Sequence, residues 1–230
     1  MTLPIKIPYL APAQIESATK ELLRKYAAWK GQPPRPPIPV DAIVEHILNL
    51  RFEVDDLRAR LNKPDVLGAT WLDDGLVVID SSLEGNEGRF SFTIGHEIGH
   101  WQLHRPLLEM EKVTLPLFSR EPGTKASQAI VCRDKQRDDA EKQADKFASF
   151  LLMPATDVIA TAREVNGGPL TIDHFAKRKE AGEWFPELRD FAAEVIAKGN
   201  FSNVSNQAMQ IRLETLKFVT DGSNPQRSLL

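Results

Sequence analysis

The sequence that decides the fold is residues 89–100, RFSFTIGHEIGH, whose last five residues match the pattern H-E-x-x-H. Apolar residues recur here at the spacing of one helix face, so we expect a helix that begins after Asn86. His96 and His100 would then lie one turn apart on the same side, where two imidazoles can bind one zinc ion. Glu97 points about 100° further round the helix. We predict that it is not a ligand but a general base, which takes a proton from water activated by the zinc.

A second helix is predicted to start near Asp138 and to end at Pro154. Glu141 lies near its start and would supply a third metal ligand, leaving the open position that a catalytic zinc needs. Asp145 follows one turn later and is predicted to hold the other ring nitrogen of His96. Alternatively, Glu141 is only a carboxylate near a helix N-terminus, where the helix dipole favours negative charge. The alternative for Asp145 is a solvated surface residue.

Other residues compete for the metal. His104 follows His100 by one turn, but a regular helix places it about 12 Å from His96 along the axis, too far to share one ion. We therefore expect His104 to lie at the C-terminus of the helix, where a histidine interacts favourably with the helix dipole. The third histidine of metzincins would fall at Pro106, which excludes that class. Cys132 could occupy the open zinc position as an inhibitory thiolate, or be an ordinary free thiol.

Composition indicates a globular chain. Of the 230 residues, 42% are hydrophobic and 27% are charged, and the formal charge is only -3. So small a charge gives no steering toward nucleic acid or an anionic membrane. The sequence shows neither a signal peptide nor a run of about 18 apolar residues, and its single cysteine cannot form an internal disulfide. We expect a cytoplasmic protein without a membrane partner.

Three parts are expected along the chain: an N-terminal helix with a proline-rich connector (1–39), a catalytic core (40–154) and a helical C-terminal region (155–230). Within the core, residues 66–72 and 76–80 flank an Asp-Gly turn and should form a β-hairpin. The C-terminal region is predicted to hold four short helices, interrupted at 167–168, 182–186 and 199–203.

With these residues identified, the chain resembles the ImmA/IrrE family of metallopeptidase-like proteins. The resemblance rests on Gly68 with the extended residues 76–80, on residues 89–100 with His104 after them, and on residues 141–154, EKQADKFASFLLMP, which are similar to the family's ExxAxxFAxxLLMP block. It implies an α+β, zincin-like core of the gluzincin type, with a small antiparallel sheet, the H-E-x-x-H helix and a helical C-terminal region. It also implies that the metal and base roles fall on the residues already named.

The resemblance further implies cleavage of a regulatory protein. We therefore predict a zinc-dependent endopeptidase whose partner is a helix-turn-helix repressor, an antitoxin or another regulator. An extended substrate segment would pair with an edge strand of the hairpin at 66–80. His174 is the candidate for an oxyanion donor, and the alternative is an ordinary histidine at a helix start.

The alternative is a metal-binding transcriptional regulator or partner-binding protein that does not cleave. Residues 188–218 could form its helix-turn-helix. We do not expect direct DNA binding, because residues 155–230 carry 9 basic and 10 acidic side chains where a basic surface would be needed. The resembling family often has an N-terminal helix-turn-helix domain, but residues 1–39 are too few and too rich in proline to form one.

Overall fold

In the computed structural model, the described residues are 7–107, 129–133 and 139–223, and residues 129–133 are described as backbone only. The chain divides into two compact units. The first comprises Met1–Pro34 and Pro39–Leu152, and the second comprises Arg35–Ile38 and Met153–Leu230. The organisation in three functional parts stays a prediction.

The first unit combines helices with one sheet, which confirms the predicted α+β class. Its helices are α1 (Pro12–Lys30), α2 (Val40–Ala42, followed by the π-helical turn Ile43–Ile47), α3 (Leu57–Leu61), α4 (Glu87–Gly99, followed by the π-helical turn His100–His104) and α5 (Asp139–Leu152), with a 3-10 turn at Ser81–Leu83. Its strands are β1 (Arg51–Asp55), β2 (Val66–Trp71), β3 (Leu76–Asp80) and β4 (Ala129–Arg133).

The sheet has the strand order β1-β3-β2-β4. The predicted hairpin is confirmed: β2 and β3 are antiparallel, and Gly75 in the turn has a φ of 57°, which glycine adopts at little cost. β1 lies parallel to β3, so the sheet is mixed rather than antiparallel throughout. A parallel pair needs a crossover connection, and here α3 and β2 provide it.

The expectation that the hairpin presents a free edge to substrate is wrong. β2 pairs with β3 on one side and with β4 on the other, where Thr70 lies opposite Ile130. Among the described strands, β1 and β4 are therefore the edges of the sheet. β4 belongs to a stretch that its polar composition predicts to be loop. Its partner is distant in sequence, so local patterns do not reveal the pairing.

α4 and α5 pack closely because small residues face each other along the contact. A Cβ added at Gly95 would lie 3.2 Å from the Cα of Ala148, and one added at Gly99 would lie 3.0 Å from the Cα of Ala144. The two helices can therefore approach nearly backbone to backbone. This approach brings the histidines of α4 beside the carboxylates of α5.

We expect Gly99→Ala to lower the free energy of unfolding by about 1–3 kcal/mol, the usual cost of overpacking a dense core. The new methyl would also lie 3.1 Å from the Cβ of Phe147, so it meets the helix backbone and the base of a buried side chain together. The clash must outweigh the roughly 1 kcal/mol by which alanine is favoured over glycine inside a helix. Chemical denaturation measures the change.

Gly168→Ala is the matched control, because a Cβ there meets nothing within 4 Å. A Gly99→Ala protein as stable as the wild type would show that α4 and α5 can separate at little cost.

The second unit contains the four helices predicted for the C-terminal region. They are α6 (Ala155–Asn166), α7 (Phe175–Glu180), α8 (Pro186–Lys198) and α9 (Asn206–Thr215), and a parallel two-stranded sheet, β5 (Leu170–Ile172) with β6 (Val219–Asp221), accompanies them. The Asn203 side chain donates to the carbonyl of Ile38 at 3.0 Å, which ties Arg35–Ile38 to this unit. Among the described helices, none is both long and apolar enough to cross a lipid bilayer.

Candidate metal centre

α4 carries the centre, and its start is as predicted. The side chain of Asn86 caps the helix by accepting a hydrogen bond from the backbone N–H of Arg89 at 3.2 Å. The helix becomes fully buried where it crosses the sheet and α5, so His96 and Glu97 are withdrawn from solvent. At His100 the regular helix gives way to a π-helical turn.

Three side chains converge between α4 and α5. The Nε2 atoms of His96 and His100 lie 2.9 Å apart. The carboxylate of Glu141 lies 3.2 Å from the first through Oε2 and 3.4 Å from the second through Oε1. One ligand atom from each of the three lies within 4.8 Å of the others, so this buried group could hold a metal ion.

The chemistry of these atoms fits a cation. Asp145 Oδ1 lies 3.0 Å from His96 Nδ1, and because a carboxylate accepts, that nitrogen carries the proton. The lone pair of neutral His96 is then on Nε2 and faces the cluster. Burial acts to raise the pKa of Glu141, but the two imidazoles beside it lower the pKa well below its ordinary value, so the group is an anion. Lone pairs and an anionic carboxylate thus point at one place, which a divalent cation would satisfy.

Glu97 is buried beside this group. Its Oε2 accepts a hydrogen bond from the hydroxyl of Thr70 at 2.6 Å, whereas Oε1 has no hydrogen-bond partner in the part of the chain that the structure describes. Burial raises the pKa of the carboxyl, and the nearby charges of His100 and His96 offset only part of this effect. A buried oxygen without a hydrogen bond lowers the stability of the folded state. Such an oxygen is characteristic of a residue that serves chemistry rather than stability.

β2 provides the space around Glu97. A Cβ added at Gly68 would lie 2.7 Å from Glu97 Oε1 and 2.7 Å from Thr93 Cγ2, so only glycine leaves this position open. Thr70 follows on the same face of the strand, since side chains at i and i+2 point the same way. Sequence reasoning did not assign a role to Thr70. The signal that could have found it is this two-residue spacing from Gly68.

His104 is the last residue of the π-helical turn His100–His104, and it is buried with its ring beside that of His100. It is not part of the metal-binding group that the described residues form. The expected position assumed a regular helix, and the π-helical turn His100–His104 changes the direction of this side chain.

Two further candidates from the sequence are Cys132 and His174. The side chain of Cys132 lies outside the described residues, and only its backbone is placed, within β4. His174 is the N-cap residue of α7 with a φ of 56°, a position consistent with the ordinary reading of a histidine at a helix start. Its proposed role as an oxyanion donor stays a prediction.

We expect Asp145→Ala to weaken zinc binding by about 10–100-fold, because outer partners that orient a ligating histidine contribute that much. Without the carboxylate, His96 loses the acceptor that keeps its proton on Nδ1. Competition against a zinc-chelating dye measures the affinity. Asp139→Ala is the matched control, since Asp139 is an exposed carboxylate on the same helix and its ion pair among the described residues is with Lys142 at 3.8 Å. Equal affinities in the two variants would contradict the orienting role.

Comparison with known proteins adds no family assignment. No protein-family model matches the chain, and no curated protein matches it at a significant level. The structure itself shows a buried group of His96, His100 and Glu141 that could hold a metal ion.

Proposed function

We propose that the protein is a zinc-dependent endopeptidase. The observation that carries the proposal is the state of Glu97, a fully buried carboxylate with one oxygen bound to Thr70 and the other without a partner among the described residues. A site that only stored or transported a metal would have no use for this group beside its ligands.

Each residue then has a part in peptide hydrolysis. Zinc held by His96, His100 and Glu141 would polarise the scissile carbonyl and make water acidic enough to lose a proton near neutral pH. Glu97 Oε1 accepts the proton of the attacking water and returns it to the leaving amine. Burial raises the pKa of this carboxyl, so it holds the proton that it takes from water more firmly than an exposed glutamate would. Thr70 holds the other oxygen, so the carboxylate does not rotate away.

The substrate proposed is a regulatory protein of the repressor or antitoxin type, and the resemblance of residues 89–100 and 141–154 supports this. An extended segment of that protein would pair with the backbone of β4, the strand at the end of the sheet next to β2. Zinc is proposed as the metal because two imidazoles and one carboxylate form a typical set for a catalytic zinc.

The experiment is metal-dependent cleavage of an undefined substrate pool. The purified chain, loaded with zinc, is incubated with a library of proteome-derived peptides, and new termini are identified by mass spectrometry. We expect a cleavage motif that disappears when a chelator removes the metal and returns when zinc is restored. The Glu97→Gln variant is incubated in parallel as the inactive control. If the wild type binds one zinc per chain but creates no more new termini than this variant, the peptidase function is contradicted and only metal binding remains.

A further inference from the structure

A chain of hydrogen bonds runs away from the metal centre on the far side of His100. Nδ1 of His100 lies 2.9 Å from Nδ1 of His104, and Nε2 of His104 lies 3.2 Å from Oε1 of Gln143. The amide nitrogen of Gln143 donates to the carbonyl of Pro8 at 2.8 Å. The three side chains are buried, at 0%, 1% and 5% exposure in this order.

The Pro8 carbonyl at the end of this series of hydrogen bonds determines which atom donates and which accepts in each of them. A carbonyl only accepts, so the Gln143 group facing Pro8 is the NH₂ group and the one facing His104 is the amide oxygen. That oxygen also only accepts, so Nε2 of His104 carries a proton. Neutral His104 then has its lone pair on Nδ1, where it accepts a hydrogen bond from Nδ1–H of His100. The remaining lone pair of His100 is on Nε2, the atom that faces His96 and Glu141.

We propose that His104 is a positioning residue, which together with Gln143 and the Pro8 carbonyl holds His100 in the single tautomer that can bind a metal. The inference rests on the metal site of the proposed function, but it concerns a different group of residues. It assigns a role to the N-terminal segment as well, because the carbonyl before α1 determines which way the Gln143 amide lies.

The two bonded histidines are the first and the last residue of a π-helical turn. The backbone N–H of Arg105 donates to the carbonyl of His100, five residues earlier, instead of the usual four. The ring centroids of His100 and His104 lie 5.0 Å apart with planes inclined by 52°, and their Nδ1 atoms are within hydrogen-bond distance.

The use of a neutral partner for His100 follows from the charges around it. His96 is oriented by a carboxylate, Asp145, whose side chain is 24% exposed and keeps contact with solvent. His100 is fully buried, and its surroundings already contain the carboxylates of Glu97 and Glu141. A third buried carboxylate there would add a large desolvation cost and like-charge repulsion. An imidazole and an amide provide the same acceptor without charge.

The direct test is the tautomeric state of the histidines in the zinc-loaded full-length protein. Long-range ¹⁵N–¹H NMR of the protein labelled at histidine shows which ring nitrogen carries each proton. We expect the proton of His104 on Nε2 with Nδ1 bare, and the proton of His100 on Nδ1. A proton on Nδ1 of His104, or protons on both of its nitrogens, would overturn the proposal.

Two variants test the consequence for metal binding. His104→Leu removes the acceptor, and we expect zinc affinity to fall by about 10–100-fold. His104→Asn can present an amide oxygen near the position of Nδ1, and we expect it to restore affinity to within a few-fold of the wild type. Thermal unfolding of the metal-free forms separates this effect from loss of folding. Wild-type affinity in His104→Leu, or equally weak binding in both variants, would overturn the proposal.

The result also separates this inference from the proposed function. A wild-type protein that binds zinc and cleaves peptides, but has the other tautomer at His104, overturns only the inference. A wild-type protein that binds no zinc overturns the proposed function and the inference with it.

Discussion

We expect the replacement of Glu97 by glutamine to abolish peptide cleavage while zinc stays bound. The amide cannot accept the proton of the attacking water, so we expect kcat to fall by about 10²–10⁴-fold, the usual contribution of a general base. Zinc content should not change, because the three groups that converge on the site are His96, His100 and Glu141. Glutamine has nearly the same shape, and its amide can still hydrogen-bond to Thr70.

The measurement is kcat on the best peptide found in the library, beside elemental analysis of the same preparation. Glu84→Gln is the matched control, since this glutamate is exposed and lies in the loop before α4. Unchanged kcat in Glu97→Gln would show that another group serves as the base. Loss of zinc in this variant would show that Glu97 is a ligand instead.

The same substitution has a consequence for stability without metal. Burial raises the pKa of Glu97, so the folded state binds its proton more tightly than the unfolded chain does. A group whose pKa is raised in the folded state contributes its full stabilisation below its pKa in the unfolded chain, which is about 4.3 for glutamate. This contribution is lost as the pH rises through the pKa of the group in the folded protein. We expect metal-free Glu97→Gln to melt at a higher temperature than metal-free wild type at pH 8, with the difference shrinking toward pH 5.

We expect the replacement of Glu141 by alanine to remove zinc from the protein. Two imidazoles remain, and a catalytic zinc is normally held by three protein ligands. We expect the affinity to fall by more than about 100-fold, beyond the 10–100-fold loss typical of partners outside the ligand set. A ligand at 100 times its Kd stabilises the native state to which it binds by about 2.7 kcal/mol. Because the variant no longer binds zinc, we expect the rise in melting temperature on adding zinc to disappear.

Glu164→Ala is the control for this change, as Glu164 is an exposed glutamate on α6. Dye competition and the zinc-induced shift in melting temperature are measured on both variants. If Glu141→Ala bound zinc as the wild type does, the third ligand would have to come from another residue, and Cys132 would be the first to replace.

Much of the candidate site could be predicted from local patterns. The spacing of His96 and His100, the cap at Asn86 and the placement of Glu141 on a second helix depend on periodicities that a few consecutive residues display. The hairpin turn was predictable for the same reason, because an Asp-Gly pair between two apolar runs has one favoured geometry.

Other features depend on residues that are distant in the chain. His100 and His104 bond to each other within a π-helical turn, and nothing in the five residues of that turn requires it. Thr70 gains its role only because β2 passes beside α4, and Gln143 gains its role only because the segment before α1 crosses α5. β1 and β4 join the sheet by pairings that single strands do not specify.

The sequence by itself therefore determined the ligand types, their helical spacing and the α+β class, since these follow from chemistry and short-range periodicity. Only the tertiary structure decides that Oε1 of Glu97 has no partner among the described residues, that β4 pairs with the outer side of β2, and that His104 bonds to His100. The physical reason is that hydrogen-bond satisfaction in a buried site is settled among all the neighbours that packing brings together, and most of these are far apart along the chain.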